Sequence, residues 1–227
     1  MCTSKALERL DPFSAKISTS QAYLHLLRYN YAVNVSYGVI LDVGCGYGYG
    51  SKMLTKVGDM VVAIDISREA LQYAKKCYRG PAYIQADAER LPFREEKFDC
   101  VVALELIEHV ENGKNLLSEV YRVIKKDGLL ILSTPNVAHF SNRLKHVLFH
   151  ESYRQKNPKN PYHKYEYAYA ELVMLLKFFG FKIEKASGQI ITFPFPFAHK
   201  LPLHIYINMG HLLPSLSQYV IYKSRKK

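Results

Sequence analysis

Between residues 38 and 135, short apolar runs of strand length alternate with segments that repeat apolar residues at helical spacing. The runs are apolar almost throughout, as strands of a parallel sheet are when helices cover both of its faces. The predicted strands are 38–43, 60–65, 82–87, 97–106 and 129–135, and the predicted helices between them are 50–58, 67–77 and 112–126. This alternation predicts an α/β fold with a doubly wound sheet, whose ligands bind beyond the carboxyl ends of the strands.

The segments on either side of this core have different characters. Residues 20–35 carry apolar residues at helical spacing and predict an N-terminal helix. A basic, irregular insertion is expected at 137–166, and an apolar, lid-like segment at 186–215. Between those two, residues 170–186 predict a helix, a glycine and a strand, and the string QYVIYKSRK predicts a last strand.

The chain carries 31 Lys and Arg residues against 20 Asp and Glu residues, a formal net charge of +11. This excess suits an anionic partner such as nucleic acid, a phosphorylated molecule or an acidic membrane surface, and it equally suits solubility alone. The four cysteines show no metal-ligand spacing, and Cys100 lies in an apolar run typical of a core. Charged residues occupy the N-terminus where an export signal needs an apolar stretch, so we expect a reducing, cytoplasmic location.

The first predicted strand leads into a glycine-rich loop, Gly44-Cys-Gly46-Tyr-Gly48, with Asp42 two residues before it. Glycine lets the backbone turn sharply and approach a ligand closely. The spacing does not fit a dinucleotide site, since the sixth residue counted from Gly44 is Tyr49, and no Gly-Lys-Ser/Thr follows for a P-loop. An acid before a G-x-G-x-G loop instead suits a ligand with a cationic aminoacyl end and no phosphate.

Two further aspartates end predicted strands. Asp65 ends the second strand, where a carboxylate can accept hydrogen bonds from both hydroxyls of a ribose. Ser67 is placed to cap the following helix, so Asp65 is not needed for that role. Asp87 ends the third strand, and its side chain with the Ala88 amide could recognise the exocyclic amine and a ring nitrogen of adenine. Three acid-bearing strand ends at these spacings indicate a binding site.

The strings LDVGCGYGYG, AIDIS, QADAERLPF, KFDCVVALELIEHV and GLLILSTPN follow one another in this order. Over residues 38–136, and more loosely over 163–185, the chain resembles the class I S-adenosylmethionine-dependent methyltransferases, closest to the branch that contains the ubiquinone-pathway O-methyltransferases. The resemblance implies a Rossmann-like sheet of seven strands with an antiparallel last strand, QYVIYK, and S-adenosyl-L-methionine as cofactor.

This resemblance, with the loop pattern, predicts one methyltransferase domain over 1–227 and a cofactor-binding core at 36–136. The predicted cofactor-binding residues are Asp42, Gly44, Cys45, Gly46, Asp65, Ile66, Asp87, Ala88 and Leu104.

The string Glu105-Leu-Ile-Glu108-His109 lies just past the fourth strand, where a methyl acceptor is expected. We predict that His109 and His163 flank the acceptor, and they are the candidate catalytic residues. Two interpretations stay open. In the favoured one, the string is a scaffold element without a metal. In the other, Glu105, Glu108, His109 and His163 hold a divalent metal, as the pattern does in the ubiquinone-pathway enzymes and the small-RNA terminal 2′-O-methyltransferases that it resembles.

We expect methyl transfer to a hydroxyl of a small or lipid-linked acceptor. The alternatives are an RNA 2′-O-methyltransferase, for which the net charge and the string His163-Lys-Tyr-Glu-Tyr argue, and a non-catalytic cofactor-binding protein. No RNA-binding module is recognisable in the sequence, so a nucleic-acid partner is not favoured. The apolar tail is interrupted by Pro202, Gly210 and Pro214, which predicts a substrate lid with at most peripheral membrane contact.

Overall fold

The computed structural model describes residues 19–149, 162–191 and 203–227. Within these ranges one sheet contains β1 (Gly38–Val43), β2 (Gly58–Asp65), β3 (Ala82–Gln85), β4 (Phe98–Leu104), β5 (Ile124–Pro135), β6 (Phe181–Gly188) and β7 (Tyr219–Lys226). The helices are α1 (Thr19–Val35), α2 (Tyr49–Leu54), α3 (Arg68–Cys77), α4 (Gly113–Val123), α5 (Phe140–Phe149), α6 (Tyr169–Phe178) and α7 (Leu203–Leu212). A short 3-10 helix, Pro214–Leu216, precedes β7.

The strands are ordered β3-β2-β1-β4-β5-β7-β6 across the sheet. Strands β1 to β5 run parallel to one another, and β7 lies antiparallel between β5 and β6. The strand order reverses between β1 and β4, which makes this the topological switch point where open α/β sheets bind ligands. The predicted Rossmann-like, doubly wound sheet of seven strands with an antiparallel last strand is confirmed.

Successive residues of the central strands point to opposite faces of the sheet, and helices cover both faces. On one face, Leu41 and Val101 belong to the same apolar cluster as Leu172 of α6. On the other face, Ile40 belongs to a cluster with Tyr29 of α1. Each buried Leu or Ile side chain contributes roughly 1.5–3 kcal/mol. Burial on both faces explains why apolar runs without a polar alternation form strands in this chain.

Short polar side chains start the helices that follow β2 and β4. The Ser67 Oγ accepts a hydrogen bond from the Ala70 amide at 3.2 Å and caps α3, as the sequence predicts. The Asn112 Oδ1 accepts from the Lys114 amide at 3.0 Å and caps α4. A cap of this kind is worth ~1 kcal/mol. The caps fix where the helices begin, and they leave the preceding loops at the carboxyl edge of the sheet.

The insertion predicted at 137–166 as irregular contains a helix, because α5 occupies ten of its residues. The basic side chain of Arg143 is used inside the fold. Its Nε donates to the Ala138 carbonyl at 2.6 Å, and its Nη2 donates to the Ser215 carbonyl at 2.9 Å. Arg143, one of the basic residues whose excess suggested an anionic partner, therefore connects α5 to the segment before β7.

The lid-like segment predicted at 186–215 begins inside the sheet rather than beyond it. Strand β6 continues to Gly188 because that residue pairs with Val220 of β7, and α7 forms most of the segment's second half. Residues 150–161 and 192–202, which complete the predicted insertion and lid, lie outside the described residues. Among the helices that the structure describes, none is both long and apolar enough to cross a membrane.

Candidate active site

A cavity of about 820 Å³ opens at the carboxyl ends of β1, β2 and β4, the edge where this topology binds ligands. Its volume is in the range of sites for small molecules and cofactors. The predicted site residues on its wall are Gly44, Cys45, Gly46, Asp65, Ile66, Asp87, Ala88, Leu104, His109 and His163. The remaining one, Asp42, is not part of the wall.

The loop after β1 passes along the cavity through glycines in the left-handed region of backbone space. The φ angles of Gly44, Gly46 and Gly48 are 74°, 52° and 84°. The Gly44 amide donates to the Ile64 carbonyl at 2.9 Å, which holds the loop against β2. A Cβ on Gly44 would stand 2.7 Å from Leu106 Cδ1. Glycine meets both requirements, so at Gly44 the loop offers backbone rather than a side chain to a ligand.

Asp65 is held at the end of β2 by two backbone amides. Its Oδ2 accepts from the Gly46 amide at 2.9 Å, and its Oδ1 accepts from the Ser67 amide at 2.8 Å. The residue is only 7% exposed and lies on the cavity wall. Each carboxylate oxygen can accept a second hydrogen bond. The ribose contact stays a prediction, and this fixed carboxylate is suited to it.

Asp87 and Ala88 lie on the cavity wall after β3. The neighbouring carboxylate of Glu89 connects this part of the wall to the loop after β4. The Asp87 Oδ1 accepts from the Glu89 amide at 2.9 Å. Glu89 Oε1 in turn accepts from the amides of Glu111 and Asn112, at 2.8 and 3.2 Å. The loop after β3 is therefore joined to the loop after β4 beside the predicted adenine-binding residues.

The structure places Asp42 beneath the glycine loop instead of in the cavity. The side chain is fully buried, and it accepts a hydrogen bond from Ser51 Oγ at 2.6 Å and one from the Tyr29 hydroxyl at 3.3 Å. Burial raises the pKa of Asp42 to about 7, against the opposing effect of these two hydrogen bonds. These hydrogen bonds join α1 to α2 through the Asp42 side chain, which differs from the direct ligand contact that the sequence suggested.

His109 and His163 come together on the cavity wall, with ring centroids 4.9 Å apart. The Nδ1 of His109 lies 3.2 Å from the Tyr162 carbonyl oxygen, and the Nδ1 of His163 lies 2.7 Å from Glu166 Oε1. When each Nδ1 carries the proton and donates it, each Nε2 keeps a lone pair. Together with Glu108, these histidines offer ligand atoms within 4.8 Å of one another.

Glu108 is the buried member of this cluster. Its Oε2 accepts from Thr134 Oγ1 at 3.0 Å, whereas its Oε1 has no hydrogen-bond partner among the described residues. That oxygen lies 4.0 Å from His109 Nε2. Burial, with a smaller contribution from the charge of Glu105, raises the pKa of Glu108 well above its ordinary value. A buried carboxylate oxygen without a partner is costly, and a cation or a ligand hydroxyl would offset that cost.

Glu105 is not part of the cluster, so the four-residue metal set that the sequence allowed is reduced to three. Its backbone has a φ of 51°, and its Oε1 accepts from Ser133 Oγ at 2.7 Å. The same oxygen lies 3.5 Å from the Nε of Arg28. These contacts turn the carboxylate toward α1 and away from the histidines.

Sequence reasoning missed the part of the wall that α1 provides, namely His25, Arg28 and Tyr29. It also missed Glu166 as the partner of His163. The available signal was the presence of polar residues at helical spacing among the apolar residues of 20–35. Apolar spacing predicts a helix, but it does not predict against which surface the helix packs.

Comparison with known proteins identifies the family. The Methyltransferase domain model of the Methyltransf_11 family matches residues 41–132. A relative from Mycolicibacterium smegmatis, named a probable S-adenosylmethionine-dependent methyltransferase, is 30% identical over 149 residues, which is 66% of this chain and 54% of that one. A ubiquinone biosynthesis O-methyltransferase of Haemophilus ducreyi is 35% identical over 126 residues, 50% of this chain and 53% of that one. The chain thus spans about half the length of these curated relatives.

Solved structures share the fold. An S-adenosylmethionine-dependent methyltransferase from Mesorhizobium loti superposes with a TM-score of 0.65 at 16% identity, over 89% of this chain and 100% of that one. The [4+2]-cyclase SpnF superposes with a TM-score of 0.64 at 18% identity, over 96% of this chain and 85% of that one. Residues 41–132 therefore form a class I S-adenosylmethionine-dependent methyltransferase domain of the Methyltransf_11 family.

Proposed function

We propose that this protein transfers the methyl group of S-adenosylmethionine to a hydroxyl of a small or lipid-linked acceptor. The observation that carries the proposal is the placement of Glu108, His109 and His163 on the wall that the glycine loop and Asp65 also line. Residues suited to bind the cofactor and residues suited to activate a hydroxyl share one cavity. Relatives named as ubiquinone biosynthesis O-methyltransferases support oxygen as the accepting atom.

The bound cofactor supplies an electrophilic methyl carbon on its sulfonium. The remaining work of the protein is to hold the acceptor in line and to take up its proton. Alignment of reactants alone can supply ~7–11 kcal/mol of the barrier reduction. His163 is the base in this proposal, because the Glu166 carboxylate at 2.7 Å orients the ring and stabilises the imidazolium that proton uptake creates.

We propose that a divalent cation can also bind at the acceptor end, where it takes the place of His163 as the group that activates the hydroxyl, because an Nε2 atom bound to a metal has no lone pair left for a proton. Glu108 Oε1 and the two Nε2 atoms form an oxygen and nitrogen donor set, and Mn²⁺ or Zn²⁺ accepts such ligands. Each imidazole also has the outer hydrogen bond that metal-binding histidines usually have, to the Tyr162 carbonyl and to Glu166. A cation bound here would lower the pKa of an acceptor hydroxyl. The Glu108 oxygen without a partner is the observation that favours it.

The activity is tested with methyl-labelled S-adenosylmethionine and three acceptor pools: aqueous metabolites, extracted lipids and total RNA. We expect label in the metabolite or lipid pool, and a rate about 10²- to 10⁴-fold lower for His163→Gln. His211→Gln is the matched control, because His211 bonds to Ser187 and does not line the cavity. Label in RNA alone would replace the proposed acceptor class with the RNA alternative. Binding of the cofactor without label in any pool would favour the non-catalytic alternative.

The cation is tested separately by dialysis against EDTA, followed by addition of Mg²⁺, Mn²⁺ or Zn²⁺. We expect the rate to fall on dialysis and to recover with Mn²⁺ or Zn²⁺, and we expect Glu108→Gln to weaken the recovery. Unchanged turnover after removal of all metal would refute the cation and leave the imidazole base in place.

A further inference from the structure

Two side chains with hydroxyl groups lie near the end of β5, next to the glutamates that follow β4. Ser133 and Thr134 are 0% and 2% exposed, so both hydroxyls are buried inside the protein. Strand pairing fixes their backbone positions, because Ser133 pairs with Leu104 of β4 and Thr134 pairs with Val220 of β7. Neither hydroxyl takes part in the proposed methyl transfer.

The two hydroxyls lie on opposite faces of the sheet, since successive side chains of a strand alternate. The residues before them show this alternation. Leu132 belongs to the apolar cluster that α6 covers, and Ile131 belongs to the cluster that α1 covers. Continuing the alternation places Thr134 on the α6 face and Ser133 on the α1 face.

Each hydroxyl donates a hydrogen bond to a different glutamate. Ser133 Oγ donates to Glu105 Oε1 at 2.7 Å, and this carboxylate lies toward α1. Thr134 Oγ1 donates to Glu108 Oε2 at 3.0 Å. The other oxygen of Glu108, Oε1, lies 4.0 Å from His109 Nε2 and has no hydrogen-bond partner among the described residues. The two hydroxyls thus hold the two carboxylates apart, and they leave Glu108 beside the histidines.

The strand itself does not need a hydroxyl at position 134. Valine has the same branched shape as threonine and suits a buried strand equally well. A buried hydroxyl costs free energy unless it is hydrogen-bonded, and the Thr134 hydroxyl has its hydrogen bond with Glu108. The last torsion of a glutamate side chain has a broad range. The hydrogen bond from Thr134 therefore restricts how the Glu108 carboxylate turns, and with it which oxygen faces His109.

We propose that Thr134 is a positioning residue, which holds the Glu108 carboxylate so that its Oε1 is presented to a divalent cation beside His109 and His163. This inference rests on the proposed function and adds to it the residue that orients the oxygen ligand of the cation. Carboxylates that bind metals are themselves hydrogen-bonded, and loss of such an outer partner typically lowers metal affinity by about 10- to 100-fold. A hydroxyl on a paired strand suits this role, because sites built on strands are more precise than sites built on loops.

The test is calorimetric titration of the metal-free protein with Mn²⁺ alone, and Glu108→Gln identifies the heat that belongs to this cluster. We expect Thr134→Val to bind Mn²⁺ about 10- to 100-fold more weakly than the wild type. Thr134→Ser should recover most of the affinity, since serine keeps the hydroxyl. Ser133→Ala is the matched control, because it removes the neighbouring buried hydroxyl from Glu105, and it should not weaken Mn²⁺ binding.

A second titration, with S-adenosylmethionine in the absence of metal, separates positioning from a general disturbance of β5. Thr134 does not line the cavity, so Thr134→Val should bind S-adenosylmethionine as tightly as the wild type does.

The outcomes separate the inference from the proposed function. If the wild-type protein binds no Mn²⁺, or if Glu108→Gln binds it equally well, the proposed cation fails and the inference fails with it. If folded Thr134→Val binds Mn²⁺ as tightly as the wild type, the inference alone is overturned. An equal loss in Ser133→Ala, or an equal loss of S-adenosylmethionine in Thr134→Val, would also overturn it by showing a structural role. If Thr134→Val does not fold, Thr134→Ala, which also lacks the hydroxyl, is judged by the same criteria.

Discussion

At the scale of single residues, depth of burial sets the charge of the groups around the cavity. Burial is the largest cause of the raised pKa of Asp42 and Glu108 and of the lowered pKa of His25. Aspartate and histidine in the sequence suggested a carboxylate ligand and candidate bases, and the sequence could not show which of them lie beneath the wall. Asp42 and His109 illustrate the difference, since the first is buried between α1 and α2 and the second lies on the cavity wall.

The raised pKa of Asp42 predicts a specific pH dependence of stability. The folded protein holds the Asp42 proton up to about pH 7, whereas the unfolded chain releases it near pH ~3.9. Between these values the folded state binds more protons, so this group's contribution to stability falls as the pH rises from 4 to 7. The fall amounts to at most ~4 kcal/mol.

Asp42→Asn should abolish this component, because an amide does not titrate and can still accept from Ser51. The free energy of unfolding in urea, measured at intervals from pH 4 to 8, should fall more steeply for the wild type than for the variant. Parallel curves for the two proteins would show that Asp42 is ionised in the folded state throughout this range.

At the scale of elements, the centre of the sheet was predictable because β1, β2, β4 and β5 each contain a short apolar run, whereas the packing of α1 was not predictable. The end of α4 shows the limit of pattern reasoning. The helical spacing continues to residue 126, but Ile124 is fully buried and pairs with Phe98, so the chain is already a strand there. In the same way, Tyr29 and Arg28 pack against residues that are distant in sequence. The local spacing of apolar residues cannot predict such contacts.

The packing of α1 on α2 depends on one small residue, and this predicts the effect of enlarging it. A Cβ on Gly50 would stand 2.0 Å from the ring of Tyr29, so Gly50→Ala should force the ring and α1 outward. We expect a destabilisation of about 1–3 kcal/mol, typical of overpacking, and weaker binding of S-adenosylmethionine. Thermal unfolding and calorimetric titration measure the two effects.

Tyr29→Ala supplies the control for that prediction, since it removes the ring that Gly50→Ala would meet. The two changes act on one contact, so the stability loss of the double variant should be smaller than the sum of the single losses. Additive losses would contradict the packing explanation.

At the scale of the whole molecule, the net charge of +11 and the exposed apolar residues at the ends of two helices lead to a prediction about membrane surfaces. Val147, Leu148 and Leu212 are 70%, 58% and 80% exposed, at the carboxyl ends of α5 and α7. We expect weak, salt-sensitive association with vesicles that contain phosphatidylserine and none with neutral vesicles.

Flotation of the vesicles in 0.1 M and 1 M salt measures this association. The screening length falls from about 10 Å to about 3 Å between these conditions, so a charge-driven contact should be lost. Firm binding to neutral vesicles in 1 M salt would instead indicate insertion of apolar side chains and would contradict the expectation of peripheral contact.

The antiparallel placement of β7 has a consequence for how the protein is made. Strands β1 to β5 can pair as they leave the ribosome, but β6 pairs within the sheet with β7 alone, and β7 is synthesised after it. Tyr219, the first residue of β7, also provides the ring beside Arg28 on the cavity wall. During translation the nascent chain therefore holds an unpaired β6 and an open cavity until the segment 219–226 has emerged. Completion of the sheet and completion of the binding site therefore depend on the same strand, β7.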